Sequence, residues 1–212
     1  MAQTRIKICG ITRPEDARVA AASGADAIGL VFYAKSPRAV SVEKARECIK
    51  ALPPLVTVVA LFVNETAENI GQILRQVPID VLQFHGDETP EFCEQFGRPY
   101  LKALRVRSSE EIAQACEIFR TARALLLDAW VEGVPGGTGQ TFDWSMAQGS
   151  FSLPLILAGG LNSDNVGGAI ELLKPSAVDV SGGTESSPGI KSAASTKGFV
   201  EAVRSADLCL KR

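Results

Sequence analysis

One histidine, His85, is all the imidazole in 212 residues, so a metal site built on two histidine ligands is excluded. The five cysteines, Cys9, Cys48, Cys93, Cys116 and Cys209, are odd in number, widely spaced and without a CxxC pair. That pattern argues against both a disulfide scaffold and a thiolate metal centre. Lysine and arginine are scattered and the formal net charge is −2, so no basic stripe marks a nucleic-acid or anionic-membrane surface. No apolar run approaches the roughly 20 residues of a membrane span. The opening "MAQTRIKICG" lacks the charged-then-apolar pattern of a signal peptide. No linker or low-complexity stretch divides the chain. Together these absences point to a soluble cytoplasmic protein forming one domain over residues 1–212. Its expected partner is a small molecule, not nucleic acid or membrane, and its expected state is a monomer, with a homodimer as the alternative.

What is present is regular. Hydrophobic residues make up 46% of the chain and charged residues 22%, enough to bury a sizeable core. Apolar runs occur at 5–9, 27–32, 56–63, 81–85, 100–106, 124–128, 153–160 and 177–183. They are nearly continuous rather than alternating, as in a parallel sheet covered on both faces. Amphipathic segments separate them, with legible ends. Thr12 is the expected N-cap of the first helix, with Pro14 in the first turn and Gly24 as its stop. Ser41 opens a second helix, Asn162 or Ser163 another, and a long helix follows near 193–211. About eight strands alternate with about eight helices, which favours a (β/α)₈ TIM barrel. An open doubly wound sheet stays possible, because alternation alone does not prove closure. The Gly/Pro-rich stretch 132–140 reads as a long loop after the sixth strand.

A barrel carries its chemistry on the loops after its strands, so the strand ends are the place to look. The glycine pairs in "LAGGLNSDN" and "VSGGTESSPG" follow the seventh and eighth strands, where such barrels often hold a phosphate. Glycine lets backbone N–H groups approach an anion closely, and a helix start adds a positive dipole end. Either pair alone would be an ordinary turn. Arg38, after the second strand, is either a solvated charge or a fork for a carboxylate. Asp128 ends "ALLLD", where it either caps the turn or serves as an acid. Cys9 is the only cysteine at a strand end; the other four fall in expected helices as small apolar packing residues. In a closed ring, strands one and six lie three steps apart, so a thiol and a carboxyl would flank a bound substrate, a geometry for acid–base work. A lone histidine such as His85 is more often a hydrogen-bonded structural group than a catalyst.

The motifs "KICGIT", "LQFHGDE", "GGTGQTFDWS", "LAGGLN" and "VDVSGGTESSPGIK" occur in order over essentially the whole chain. Together they resemble the phosphoribosylanthranilate isomerase family of tryptophan biosynthesis. Gln140 stands where some members carry lysine. The resemblance implies a TIM barrel with phosphate-binding loops after strands seven and eight, and no cofactor or metal. It implies Cys9 as general base, Asp128 as general acid and Arg38 for the anthranilate carboxylate. Gly159, Gly160, Ser181, Gly182 and Gly183 would hold the phosphate, with His85 and Asp179 also near the substrate. The implied reaction is an Amadori rearrangement of N-(5′-phosphoribosyl)anthranilate. An aspartate acid must then be held protonated, since its ordinary pKa is about 3.9, and a thiol base needs a modest downward shift from about 8.5. Lys7, two residues from Cys9 on the same strand, would share its face.

Other readings are weaker. Indoleglycerol-phosphate synthase chemistry needs a lysine acid, for which Lys102 is the only placed candidate. A metal-dependent pentose-phosphate epimerase fails on histidine count. A silent phosphosugar-binding protein would need neither Cys9 nor Asp128, and a redox-sensing Cys9 has no resolving cysteine nearby in sequence.

Overall fold

The computed structural model describes residues 3–129 and 143–210. Eight parallel strands close into a barrel in chain order: β1 Arg5–Cys9, β2 Ala27–Val31, β3 Thr57–Phe62, β4 Val81–Phe84, β5 Tyr100–Val106, β6 Ala124–Ala129, β7 Leu155–Leu157 and β8 Ala177–Val180. Closure comes from β1 pairing β8, which sets Lys7 beside Asp179, while on its other side β1 sets Cys9 beside Gly29 of β2. The open-sheet alternative is thereby excluded.

The side-chain period of two sorts each strand into two layers. Val59, Leu101, Ala103, Ala124, Leu126, Ile156 and Ala158 form one small apolar cluster inside the barrel. Their neighbours Val58, Leu82, Leu125, Leu127, Leu157 and Val178 face outward into the larger core under the helices. The same parity turns Lys7, Cys9, Gln83, Asp128 and Asp179 inward. Apolar side chains thus share the barrel interior with these polar residues, all of them buried.

Helices α1 Pro14–Ser23, α2 Val42–Lys50, α3 Ala67–Gln76, α4 Pro90–Glu94, α5 Ser109–Ile118, α6 Val166–Leu173 and α7 Ala193–Cys209 cover the barrel. The expected strict alternation is incomplete among the described residues. Between β6 and β7 they contain only a 3₁₀ turn, Trp144–Ala147. The expected loop at 132–140 and most of "GGTGQTFDWS" lie outside the described residues. One element was not foreseen, a short antiparallel hairpin of β9 Glu185–Ser187 and β10 Ile190–Lys191 between β8 and α7.

Several helix ends match expectation and two do not. Ser41 caps α2 by accepting from the Lys44 N–H at 3.2 Å, and Gly24 ends α1 at φ 100°. Thr12, however, does not cap α1. Its hydroxyl donates to the Gly189 carbonyl of the hairpin, and Arg13 takes the N-cap position. Asn162 caps a turn one step early, accepting from the Asp164 and Asn165 N–H groups at 2.8 and 3.1 Å, before α6 begins. Cys48, Cys93 and Cys116 are buried packing residues as expected, whereas Cys209 is exposed at the end of α7. Among the described residues no helix is long and apolar enough to cross a membrane.

Candidate active site

A cavity of about 560 Å³ opens at the C-terminal end of the strands. All ten residues named from the sequence line it: Cys9 from β1, Arg38 from the loop after β2, His85 after β4, Asp128 from β6, Gly159 and Gly160 after β7, and Asp179, Ser181, Gly182 and Gly183 from β8 and the turn beyond. The ring order puts β6 and β1 three strands apart, with β7 and β8 between them. Thiol and carboxyl therefore stand on different sides of the mouth.

Two glycines make the close approaches that shape it. A Cβ on Gly10, at φ 76°, would lie 2.5 Å from Arg38 Cδ and 2.9 Å from Ser181 Oγ. One on Gly183 would lie 2.0 Å from the Leu161 carbonyl oxygen, so the loops after β7 and β8 pack backbone against backbone. The expectation that both glycine pairs lead straight into helix starts is only partly met. The first is followed by the Asn162 turn and then α6. The second forms a 3₁₀ turn, Gly182–Thr184, and runs into the hairpin. Ser181 Oγ is buried there without a hydrogen-bond partner among the described residues. A buried hydroxyl with no partner is costly, and a ligand oxygen would satisfy it.

Around Cys9 the electrostatics are opposed. Burial pushes the thiol above its ordinary value, while the Lys7 ammonium and, more distantly, Lys191 pull it down. The expected downward shift is therefore not met: in this arrangement desolvation wins. Burial would likewise lower Lys7, but Asp179, with its Oδ1 at 2.8 Å, and Cys9 together hold the ammonium above its ordinary value. Lys7, Asp179 and Cys9 thus form one buried polar group on two adjacent strands.

On the opposite side His85 Nε2 stands 3.2 Å from Asp128 Oδ2, close enough to pair though not aligned as a hydrogen bond. Asp128 Oδ1 accepts from the Ala129 N–H at 2.8 Å. Gln83, fully buried and two residues before His85, brings its Nε2 to 3.1 Å from His85 Nδ1. That contact holds the imidazole so that its Nε2 lies on the Asp128 side. Sequence reasoning missed Gln83; its place one period-two step below His85 was the available signal. It also missed Glu185, which holds Arg38 through two contacts of 2.8 Å.

Lys102 is not at this site. Its ammonium binds Glu88 Oε2 at 2.9 Å and the Gly86 carbonyl at 2.8 Å, outside the barrel interior. Glu88 in turn accepts from the Asn64 and Gly86 N–H groups at 2.8 and 2.9 Å. The pair fastens the loops after β3 and β4 and leaves no free lysine acid there.

Comparison with known proteins places the chain in a family. A family model described as N-(5′-phosphoribosyl)anthranilate (PRA) isomerase matches residues 6–202. The chain belongs to the N-(5′-phosphoribosyl)anthranilate isomerase family. An isomerase of that name from Pseudomonas aeruginosa strain LESB58 is 61% identical over 205 residues, covering 97% of each chain. The crystal structure of phosphoribosyl anthranilate isomerase from Thermotoga maritima superposes with a TM-score of 0.87 at 40% identity. It covers 96% of this chain and 100% of that one. A further isomerase structure, in complex with reduced 1-(o-carboxyphenylamino)-1-deoxyribulose 5-phosphate, is 38% identical with a TM-score of 0.84, over 96% and 100% of the two chains. As a family member the chain is an isomerase of tryptophan biosynthesis on a TIM-barrel scaffold.

Proposed function

We propose that this chain isomerises N-(5′-phosphoribosyl)anthranilate with Cys9 as general base and Asp128 as general acid. The observation that carries the assignment is the pairing of one buried thiol and one buried carboxyl on different sides of a single cavity. Asp128 donates its proton from Oδ2 to the furanose ring oxygen, and the C1′–O4′ bond breaks to give a protonated Schiff base. The carboxylate that remains keeps the Ala129 N–H on Oδ1 and has the His85 ring beside Oδ2, which supports the developing charge. Cys9 as thiolate takes the C2′ proton and an enolamine forms. Loss of the C2′ hydroxyl proton and gain of a proton at C1′ then give the aminoketose, with every atom retained.

A raised thiol pKa cuts two ways. It reduces the thiolate present at neutral pH, yet makes each thiolate a stronger base, and Lys7 stabilises the anion as it forms. Positioning supplies the rest. The phosphate fits the loops at Gly159–Gly160 and Ser181–Gly183, where the unpartnered Ser181 hydroxyl favours an anion. The carboxylate fits Arg38, and the apolar wall of Val31, Leu61 and Val63 suits the aromatic ring. Holding both anionic ends fixes the reacting carbons between thiol and carboxyl.

Cys9→Ala and Asp128→Asn test the roles in a steady-state assay with the substrate generated in situ. Each is expected to lower kcat by roughly 10²–10⁴-fold with the fold intact. Near-wild-type kcat in a folded variant removes that residue from the mechanism.

A further inference from the structure

The arginine assigned to the substrate carboxylate is already engaged on one edge. Arg38 Nε and Nη2 each lie 2.8 Å from a Glu185 carboxylate oxygen, a side-on bidentate pair. Guanidinium has five N–H donors, so among the described residues Nη1 and the second hydrogen of Nη2 still form an open end-on edge. Glu185 opens β9, and β10 supplies Lys191, whose Nζ lies 3.1 Å from Glu185 Oε1 and 2.9 Å from the Ser181 carbonyl. The Lys191 side chain is fully buried and that of Glu185 nearly so. The hairpin is itself anchored: Thr12 donates to the Gly189 carbonyl, and the Lys191 N–H donates to Asp16 Oδ2 at 3.2 Å. Two cations thus share one carboxylate, and the cluster carries one net positive charge.

We infer that Glu185 is a positioning residue for substrate recognition, clamping Arg38 side-on so that its end-on edge meets the substrate carboxylate. The inference rests on Arg38 being the carboxylate receptor. A free arginine would lose its rotamer freedom when substrate binds; clamped by Glu185, it has lost that freedom already. The carboxylate also offsets one of two adjacent cations, which keeps Arg38 and buried Lys191 from repelling one another. The Ser181 contact ties the same clamp to the phosphate loop, so the two anion sites are held at a fixed spacing.

The test is a double-mutant cycle of Arg38→Ala and Glu185→Gln, with N-(5′-phosphoribosyl)anthranilate generated in situ and folding checked by thermal unfolding. Glu185→Gln should raise KM roughly tenfold while kcat stays within about twofold, because it loses a charge-assisted bidentate contact away from the reacting carbons. Arg38→Ala should raise KM at least as much, and Glu185→Gln should then add less than about twofold. An Arg38→Ala effect without a Glu185→Gln effect overturns the inference and leaves the Arg38 reading standing. A Glu185→Gln penalty that persists undiminished in Arg38→Ala also overturns it, since Glu185 would then act elsewhere. A fall in KM on Glu185→Gln overturns it too, by making Glu185 a competitor of the substrate. No KM change in Arg38→Ala removes the underlying reading itself. The paired variant Glu185→Gln/Lys191→Met removes the buried ammonium with its partner and carries the same expectation where Glu185→Gln alone does not fold.

Discussion

Replacing Gly29 by alanine should disable the enzyme by moving one sulfur atom. Gly29 lies in β2 directly beside Cys9 in the β1–β2 register. A Cβ built there stands 2.6 Å from Cys9 Sγ, 3.1 Å from its Cα and 3.2 Å from its Cβ. Ordinary contact is roughly 3.5–4.0 Å, so the thiol must retreat by about 1 Å. Cys9 borders the cavity, so the sulfur is pushed from its present position while the packed strands take up the rest of the displacement. Overpacking of this kind costs about 1–3 kcal/mol of stability. A displacement of about 1 Å in a catalytic group can cost ~100-fold in rate. The expected result is therefore a folded Gly29→Ala protein with a modestly lower Tm, kcat down about 100-fold and KM little changed. Steady-state kinetics with substrate generated in situ, beside thermal unfolding, measure both. A variant with lower Tm but kcat within about threefold of wild type would mean that the strands absorb the strain, or that the thiol does not act at its present position. Either refutes the reasoning.

Two further outcomes follow from buried groups elsewhere. Lys102→Met leaves Glu88 buried without its cation and should cost about 3–5 kcal/mol in urea denaturation, with kcat of the folded enzyme within about twofold. A large kcat loss in a folded Lys102→Met variant would instead place that lysine in the chemistry. Burial pushes the Cys48 thiol up to about 11, so its contribution to stability is full below the unfolded thiol's pKa near ~8.5 and is lost as pH rises towards 11. Between pH 7.5 and 10.5 wild type should lose roughly 2 kcal/mol more than Cys48→Ala, measured by urea denaturation. Equal losses would show that this thiol does not ionise on unfolding.

Most of the barrel could be read from the sequence, because buried parallel strands are runs of Val, Ile, Leu and Ala whose lengths hardly depend on distant residues. The last two runs are instructive, since 177–183 also stops early, at Val180. The run at 153–160 yields only Leu155–Leu157 as strand, since Gly159 and Gly160, both at positive φ, turn the backbone out of the sheet towards the cavity. Thr12 departs from its expected cap role because of a distant partner. Its hydroxyl has a local use as a cap, but a carbonyl 177 residues away competes for it and wins. Residues at strand ends were legible as site candidates because barrel topology alone places them at the mouth. Glu185 was not, since an acidic residue in a Ser/Gly-rich segment reads as solvated, and the arginine that buries it is 147 positions distant. The direction of the Cys9 shift was likewise beyond sequence, because it depends on how fully neighbouring strands exclude water.

The hairpin between β8 and α7 has a consequence for how the protein comes into being. Both charged clusters at the mouth are completed only by late parts of the chain: Lys7 waits for Asp179, and Arg38 waits for Glu185. On a ribosome the first strands emerge carrying their lysine, cysteine and arginine long before the carboxylates that will pair with them. Contacts so distant in sequence close late and slowly. Lys7 and Arg38 therefore lack their native carboxylate partners until the last fifth of the chain is made. A fragment ending before β8 would hold the thiol and Arg38 yet lack Asp179 and Glu185, the carboxylates that fix Lys7 and Arg38. Closing the barrel and completing the binding site are one event, because β8 and the hairpin bring Asp179, Ser181 and Glu185 together.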